Sequence, residues 1–325
     1  MKNRSVKKRS YSPSVNKYLK TPQTKSLSIT KKCSFDPLTI SIDNQCYLYD
    51  SEIAISYLLE KLRRNKHVNV KKIILPKQYS SNCWFNTLFV LLFISDKGRK
   101  FFSFFRALMI LGELPNGDFI PSKLREGFAF LNYNIDACLS GNQYALHSMN
   151  TNKTIEFLYS HIKHPHIFKK GEAGNPFKYY YALVNYLSLR SLSLLQLTYE
   201  ESIHFRISWK EKIPHVVIFQ YPVDSFQKLK EKKKLSFTYD KYEYSLDSVA
   251  IIDNEKNHFI GLLTCNGEEY SYDGASLTRL VPMKWKHLLN EDKDFSVHDT
   301  YDFKGNLLYW NFTKGYQMLV YYRKK

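Results

Sequence analysis

The stretch Ser81-Asn82-Cys83-Trp84-Phe85-Asn86-Thr87-Leu88-Phe89-Val90-Leu91-Leu92 places a cysteine at the head of an apolar segment. Trp84, Leu88, Leu91, Leu92 and Ile94 recur at helical spacing, which predicts a helix that Cys83 opens. The N-terminal turn of a helix favours an anion, and the thiolate is the reactive form of cysteine. Such a thiol becomes a nucleophile when a base stands beside it. Downstream, Asn257-His258-Phe259-Ile260-Gly261-Leu262 supplies a histidine on a predicted strand, and Tyr270-Ser271-Tyr272-Asp273 supplies an acid. Asn266-Gly267 between them is a strong hairpin turn, so two antiparallel strands bring His258 and Asp273 side by side. An acid in that place fixes the histidine's other ring nitrogen and stabilises the imidazolium. The chain order is Cys, His, Asp, with Cys83 as nucleophile, His258 as general base and Asp273 as its orienter.

These residues resemble the two signature boxes of the ubiquitin-specific proteases. The family's cysteine box, Asn-x-Gly-Asn-Thr-Cys-Tyr-Met-Asn-Ser, is matched by Cys83, Asn86, Thr87 and Leu88, with Trp84 in the aromatic position. Its histidine box, Gly-His-Tyr then Trp-Tyr-x-Phe-Asp-Asp, is matched by His258, Phe259, Tyr270, Tyr272 and Asp273. Residues 213 to 219 look like the family's buried central strand and residues 315 to 323 like its closing strand, so the resemblance spans 76 to 325. It implies an α+β papain-like cysteine peptidase: a helical thumb subdomain packed on an antiparallel β-sheet palm, with the active site in the cleft between them. It also implies ubiquitin or ubiquitinated proteins as partners, no cofactor, and hydrolysis after the C-terminal Gly of ubiquitin through a Cys83 thioester.

The departures from the family are specific. Gln78 stands where the family places an oxyanion-donating asparagine and offers the same amide on a longer arm. Asn82 is a second candidate donor, with turn-shaping as its competing role. Ser80 and Asn257 replace glycines and Gly274 replaces a second acid, while Trp84, Asn257 and Phe259 are expected to line the substrate cleft. The paired Cys-x-x-Cys motifs that hold zinc in many members are missing. These changes keep two other readings open. One is a papain-like peptidase acting on another ubiquitin-like modifier or a polyprotein; the other is a catalytically inactive scaffold or capsid-associated binding protein. An adenain-type viral peptidase is disfavoured because that family places histidine before cysteine.

The 325 residues, 44% hydrophobic and 16% aromatic, are enough to bury a large core. The organisation reads as a basic arm over 1–34, a small strand-helix extension over 35–75 and a catalytic domain over 76–325. Residues 1 to 32 carry ten Lys or Arg and no acid among many Ser, Thr and Asn, the pattern of a disordered arm. That arm supplies much of the formal charge of +18 and suits a polyanion or an assembly surface. Lys7-Lys8-Arg9 would also serve nuclear import; otherwise the expected location is cytoplasmic, in a host cell or virion if the source is viral. The abundance of Lys, Asn, Tyr, Ile and Phe suggests an AT-rich coding sequence, as in a large DNA virus or intracellular parasite.

Alternation over 38–49 predicts strands, and Ser51 caps a helix with Ile55, Leu58, Leu59 and Leu62 on one face. Helical periodicity dominates 97–200, including one long segment over 179–197. Strands are expected at 204–209, 215–221, 235–239 and 242–252. No apolar run reaches the roughly 20 residues of a membrane span. Of five cysteines, one is expected to be reactive and the rest to be small core residues. The odd count without a secretory signal argues against a disulfide framework and for a reducing compartment. The group His161, His164 and His166 contains a proline and lacks an accompanying acid or thiolate, so a solvated loop is preferred to a metal site. His298-Asp299 is a poor rival to His258, and the lysine run over 228–234 is expected to be a solvated loop.

Overall fold

Local capping and buried stripes set the helices. In the computed structural model, Ser51 accepts from the Ala54 N–H and opens α1 (Glu52–Arg64), which buries Ile55, Leu58 and Leu59. The described residues are 33–34, 37–65, 67–79, 81–142, 151–162, 174, 176–188, 194–198, 213–221, 232–239, 241–253, 257–275, 278–297, 300–302 and 304–324. The helix α2 (Cys83–Phe93) is buried along its whole length, as its nearly all-apolar sequence requires. Around it lie α3 (Asp96–Leu111), α4 (Ser122–Ser140), α5 (Thr151–Tyr159) and α6 (Pro176–Ser188).

A hairpin of β1 (Thr39–Ile42) and β2 (Gln45–Leu48) precedes α1. Its turn residues Asp43 and Asn44 have φ of 49° and 66°, a conformation these two side chains tolerate well. Ile40, Ile42, Ile55 and Leu58 share a core with Ala107, Ile110 and Leu111 of α3. The Leu38 N–H donates to Glu126, and Asn65 donates to Asp136, both on α4. The extension is therefore packed and hydrogen-bonded onto the helical side.

The second layer is an eight-stranded sheet in the order β3 (Leu194–Thr198), β4 (Val216–Tyr221), β10 (Gln317–Arg323), β6 (Tyr242–Asp253), β7 (His258–Cys265), β8 (Glu268–Tyr272) and β9 (Val281–Pro282). The remaining strand, β5 (Ser236–Tyr239), pairs with β6. One sheet face packs on α2 and its neighbouring helices. The other is covered by Trp285, Trp310 and Phe312 from the segment between β9 and β10. This α+β architecture is the expected one, with a helical side and a largely antiparallel sheet. No described helix is long and apolar enough to cross a membrane.

Three expectations are corrected. The helix predicted over 179–197 ends at Ser188, and Leu194–Thr198 is a strand that pairs in parallel with β4. The Leu-x-Leu alternation at 187–197 is a strand pattern that the preceding helical run obscured. Cys33 and Cys46 form a disulfide with a Cα–Cα distance of 5.7 Å, because the hairpin returns Cys46 beside the segment entering β1. One pair among five cysteines still leaves an odd number, so the odd count was no argument against pairing. Lys233, expected in a solvated loop, is 5% exposed. Its Nζ donates to the Phe312 carbonyl and to Gln317 Oε1, at 2.5 and 2.9 Å, below the rings of Tyr221 and Phe312. The strand expected at 204–209, His164, His166 and the His298-Asp299 pair lie outside the described residues; His161 is exposed and contacts the Phe157 carbonyl and Ser160.

Burial pulls the Lys233 amine down to about 7. A depressed pKa means the unfolded chain binds more protons between there and about 10.4, so this group's contribution to stability grows as pH rises through that window. Wild type is expected to gain about 2 kcal/mol over Lys233→Met between pH 7 and 9, read from urea melts at both values. Parallel responses of the two proteins would contradict a titrating buried amine.

Candidate active site

Three elements carry the site. Helix α2 presents Cys83 at its first position, after Asn82, whose side chain does not cap the helix. Strand β7 opens with His258, and Asp273 follows the end of β8. The β7–β8 pairing sets Gly261 opposite Tyr272, which brings the start of β7 beside Asp273. Thr87 on α2 donates to the Phe259 carbonyl at 3.3 Å and fastens the cysteine helix to the histidine strand.

His258 Nε2 lies 2.6 Å from Asp273 Oδ1. The same carboxylate oxygen accepts from the Ala275 N–H at 2.9 Å. Cys83 is close enough to the same imidazole to favour its charged form, and with Nε2 on Asp273 the ring nitrogen left for the sulfur is Nδ1. Cys83 and His258 are 8% and 9% exposed, and Asp273 is fully buried. Burial works against the imidazolium, but the hydrogen bonds and charges of Asp273 and Cys83 outweigh it and raise His258 to about 10. An imidazolium is the counter-ion a thiolate nucleophile requires. Neither of the other free cysteines among the described residues has a histidine beside it, although Arg99 reaches Cys265 Sγ at 3.5 Å. Burial pushes the Cys138 thiol up, and holds Cys265 up at about 11.

Gln78, half-buried, is anchored beside the acid: its N–H donates to the Gly274 carbonyl at 2.7 Å. Asn82 is 1% exposed, and its carboxamide is engaged in the turn. Its Oδ1 accepts from the Tyr79 N–H at 3.1 Å, and its Nδ2 donates to Thr151 at 2.7 Å. Trp84, expected in the cleft, is instead 2% exposed and stacks at 4.0 Å on Tyr179. Position 84 follows Cys83 by one residue, and a 100° rotation carries its side chain away from that of Cys83 into the helical core. Phe259 is 8% exposed, since it alternates with His258 along β7, whereas Asn257 is exposed. Ser80 lies outside the described residues.

Two departures from the family pattern have local causes. Asn257 has φ of 50°, where glycine is unstrained and asparagine is the best-tolerated side chain. Asn257→Gly is expected to change stability by less than about 0.5 kcal/mol and Asn257→Val to cost about 1–2 kcal/mol. Thermal melts of the two would separate them; equal melting temperatures would show that the turn is not constrained. At Gly274 a Cβ would stand 2.6 Å from Tyr272 Oη and 3.3 Å from Asn86 Nδ2. Tyr272 Oη cannot yield easily because it donates to the Pro76 carbonyl at 2.5 Å. Restoring the family's acid as Gly274→Asp is expected to destabilise by about 1–3 kcal/mol through overpacking, with a melting temperature at or above wild type as the contrary result.

Trp310 was not singled out in the sequence. It is 2% exposed, its ring centroid lies 6.3 Å from that of His258, and its Nε1 donates to the His258 carbonyl at 3.4 Å. Nothing in its irregular surroundings, a loop between β9 and β10, signals that contact. Among the described residues no group of three His, Cys, Asp or Glu is arranged to hold a metal.

Cys83 thus opens a buried helix of one layer, while His258 starts β7 and Asp273 follows β8 in the sheet layer. Solved structures similar to this one include an essential yeast splicing factor, at a TM-score of 0.45 and 10% identity, covering 87% of this chain and 82% of the other. They also include the SAGA Ubp8/Sgf11/Sus1/Sgf73 DUB module, at 0.46 and 8%, covering 86% and 76%. The same module bound to monoubiquitin matches at 0.46 and 10%, covering 86% and 77%. No family model matches the sequence, and no curated protein matches it.

Proposed function

We propose that the protein is a thiol-dependent deubiquitinase, in which the Cys83 thiolate attacks the carbonyl carbon of the C-terminal Gly of ubiquitin. The observation that carries this reading is the buried line from Cys83 through His258 to Asp273, closed by the 2.6 Å contact. The Cys83 N–H, at the uncapped head of α2, and the Gln78 carboxamide would hold the oxyanion. His258, charged beside Cys83, protonates the departing lysine amine and leaves a thioester. Water, deprotonated by His258, then attacks the thioester and restores the thiol. Asp273 keeps the ring oriented through both steps.

Purified protein treated with ubiquitin bearing a C-terminal thiol-reactive group tests this directly. The expected result is a mass increase of one ubiquitin in wild type that Cys83→Ala lacks. No adduct with ubiquitin, but one with another modifier probe, would reassign the substrate. No adduct with any probe would favour the inactive-scaffold reading, in which the acid-free basic segment over 1–32 engages a polyanion. Salt-sensitive polyanion binding that disappears on removal of residues 1–32 is the signature of that second role. The proposed location is cytoplasmic, with the basic segment as the route to a nuclear one.

A further inference from the structure

Asn86 lies one helical turn after Cys83 on α2 and is 1% exposed. Thr151 donates from Oγ1 to Asn86 Oδ1 at 2.7 Å, and accepts from Asn82 Nδ2 at the same distance. That relay fixes which end of the Asn86 carboxamide faces α5. Its Nδ2 therefore points the other way, toward Gly274, where it stands 3.3 Å from the position a Cβ would take. This nitrogen is buried and meets no acceptor. Asp273, the neighbour of Gly274, spends Oδ1 on His258 and Ala275, while its buried Oδ2 meets no donor. A buried amide donor beside Gly274 and a buried carboxylate oxygen on the adjoining residue are complementary, and each is costly to leave alone. The missing side chain at 274 keeps the gap between them open.

We propose that Asn86 is a positioning residue for the catalytic acid: its Nδ2 holds Asp273 Oδ2, directly or through one water, and so keeps the carboxylate aimed at His258. The relay from Asn82 through Thr151 to Asn86 then links the turn before the nucleophile to the acid at the far end of the triad. The proposal rests on the triad reading above but not on ubiquitin as the modifier. The titratable groups around Asp273 are His258 of β7, in direct contact, and Tyr272 of β8, with Cys83 of α2 and Cys138 of α4 close to those two residues. Burial keeps Tyr272 and Cys138 protonated, so neither contributes to an acid limb.

The test is the pH dependence of Cys83 alkylation by iodoacetamide in the full chain, followed by peptide mass spectrometry beside a thermal melt. A hydrogen bond to a carboxylate favours its charged form. In Asn86→Leu the acid limb is expected to move up by about one pH unit, with alkylation at pH 5 about tenfold slower than wild type. Thr151→Val, which leaves Asn86 present but unoriented, is expected to shift the limb the same way by a smaller amount. An unshifted acid limb in folded Asn86→Leu overturns the proposal; should that variant not fold, an unshifted limb in Thr151→Val does so. Alkylation of wild-type Cys83 no faster than a free thiol would remove the triad reading and this inference together. A shifted limb with no ubiquitin-probe adduct would remove only the modifier assignment.

Discussion

His258→Ala is expected to slow labelling of Cys83 by the ubiquitin probe by about 10²–10⁴-fold, the range ascribed to a positioned general base. The loss follows from the place of this imidazole beside Cys83, at the head of α2. Asp273→Asn is expected to fall within the same range while leaving the volume of the site unchanged. An asparagine can turn its NH₂ toward Nε2 and so stabilise the wrong tautomer. The pH dependence has a definite sign. His258 is raised to about 10 in the folded protein, so its contribution to stability is complete below about 6.5 and is lost as pH rises toward 10. That slope should flatten in Asp273→Asn, and denaturation at pH 6, 8 and 9.5 measures it. Undiminished probe labelling in His258→Ala would sink the catalytic assignment whatever the stability data show.

Arg106→Met is expected to destabilise the protein by about 3–5 kcal/mol, the largest stability effect of any substitution considered. Arg106 NH2 meets Asp136 Oδ1 at 2.9 Å with both side chains almost wholly buried, and its Nε donates to Asn132 Oδ1 at 2.7 Å. Asn65, which ends α1, donates to the same Asp136 oxygen. Removing the guanidinium leaves a carboxylate stranded among α1, α3 and α4. Burial already pushes Asp136 up, against the opposing effect of Arg106. Without Arg106 the variant should recover stability as pH falls and the carboxyl takes up a proton. Arg106→Met with Asp136→Leu is expected to regain most of the loss, since an apolar pair of similar volume carries no unmatched charge. A double variant as unstable as the single would show that packing, and not charge, is what Arg106 supplies.

The juxtaposition of His258 and Asp273 and the place of Cys83 were legible because their signals are local. Cys83 begins an apolar helix, Asn266-Gly267 forces a hairpin, and the hairpin's length sets His258 against Asp273. Ser51 as a cap and the β1–β2 alternation were legible for the same reason. Trp84 was misplaced because a motif position gives the residue type but not the face of the helix. Lys233 was misplaced because composition describes a run of lysines on average, while the fold selects one of them and buries it. The complementary atoms of Asn86 and Asp273 left no trace in the pattern, being a matter of which polar atoms lack partners after everything else has packed.

The sequence by itself determined the α+β class, the order of Cys83, His258 and Asp273, and the elements that carry them, because periodicity, caps and turn residues act within a few positions along the chain. Only the tertiary structure decided that β3 runs parallel to β4, that Cys46 reaches Cys33, that Trp310 braces the His258 carbonyl and that Gly274 has no room for an acid. Each of these depends on contacts between residues brought together by close packing of whole layers. There a few tenths of an ångström, and not a pattern of residue types, select what fits.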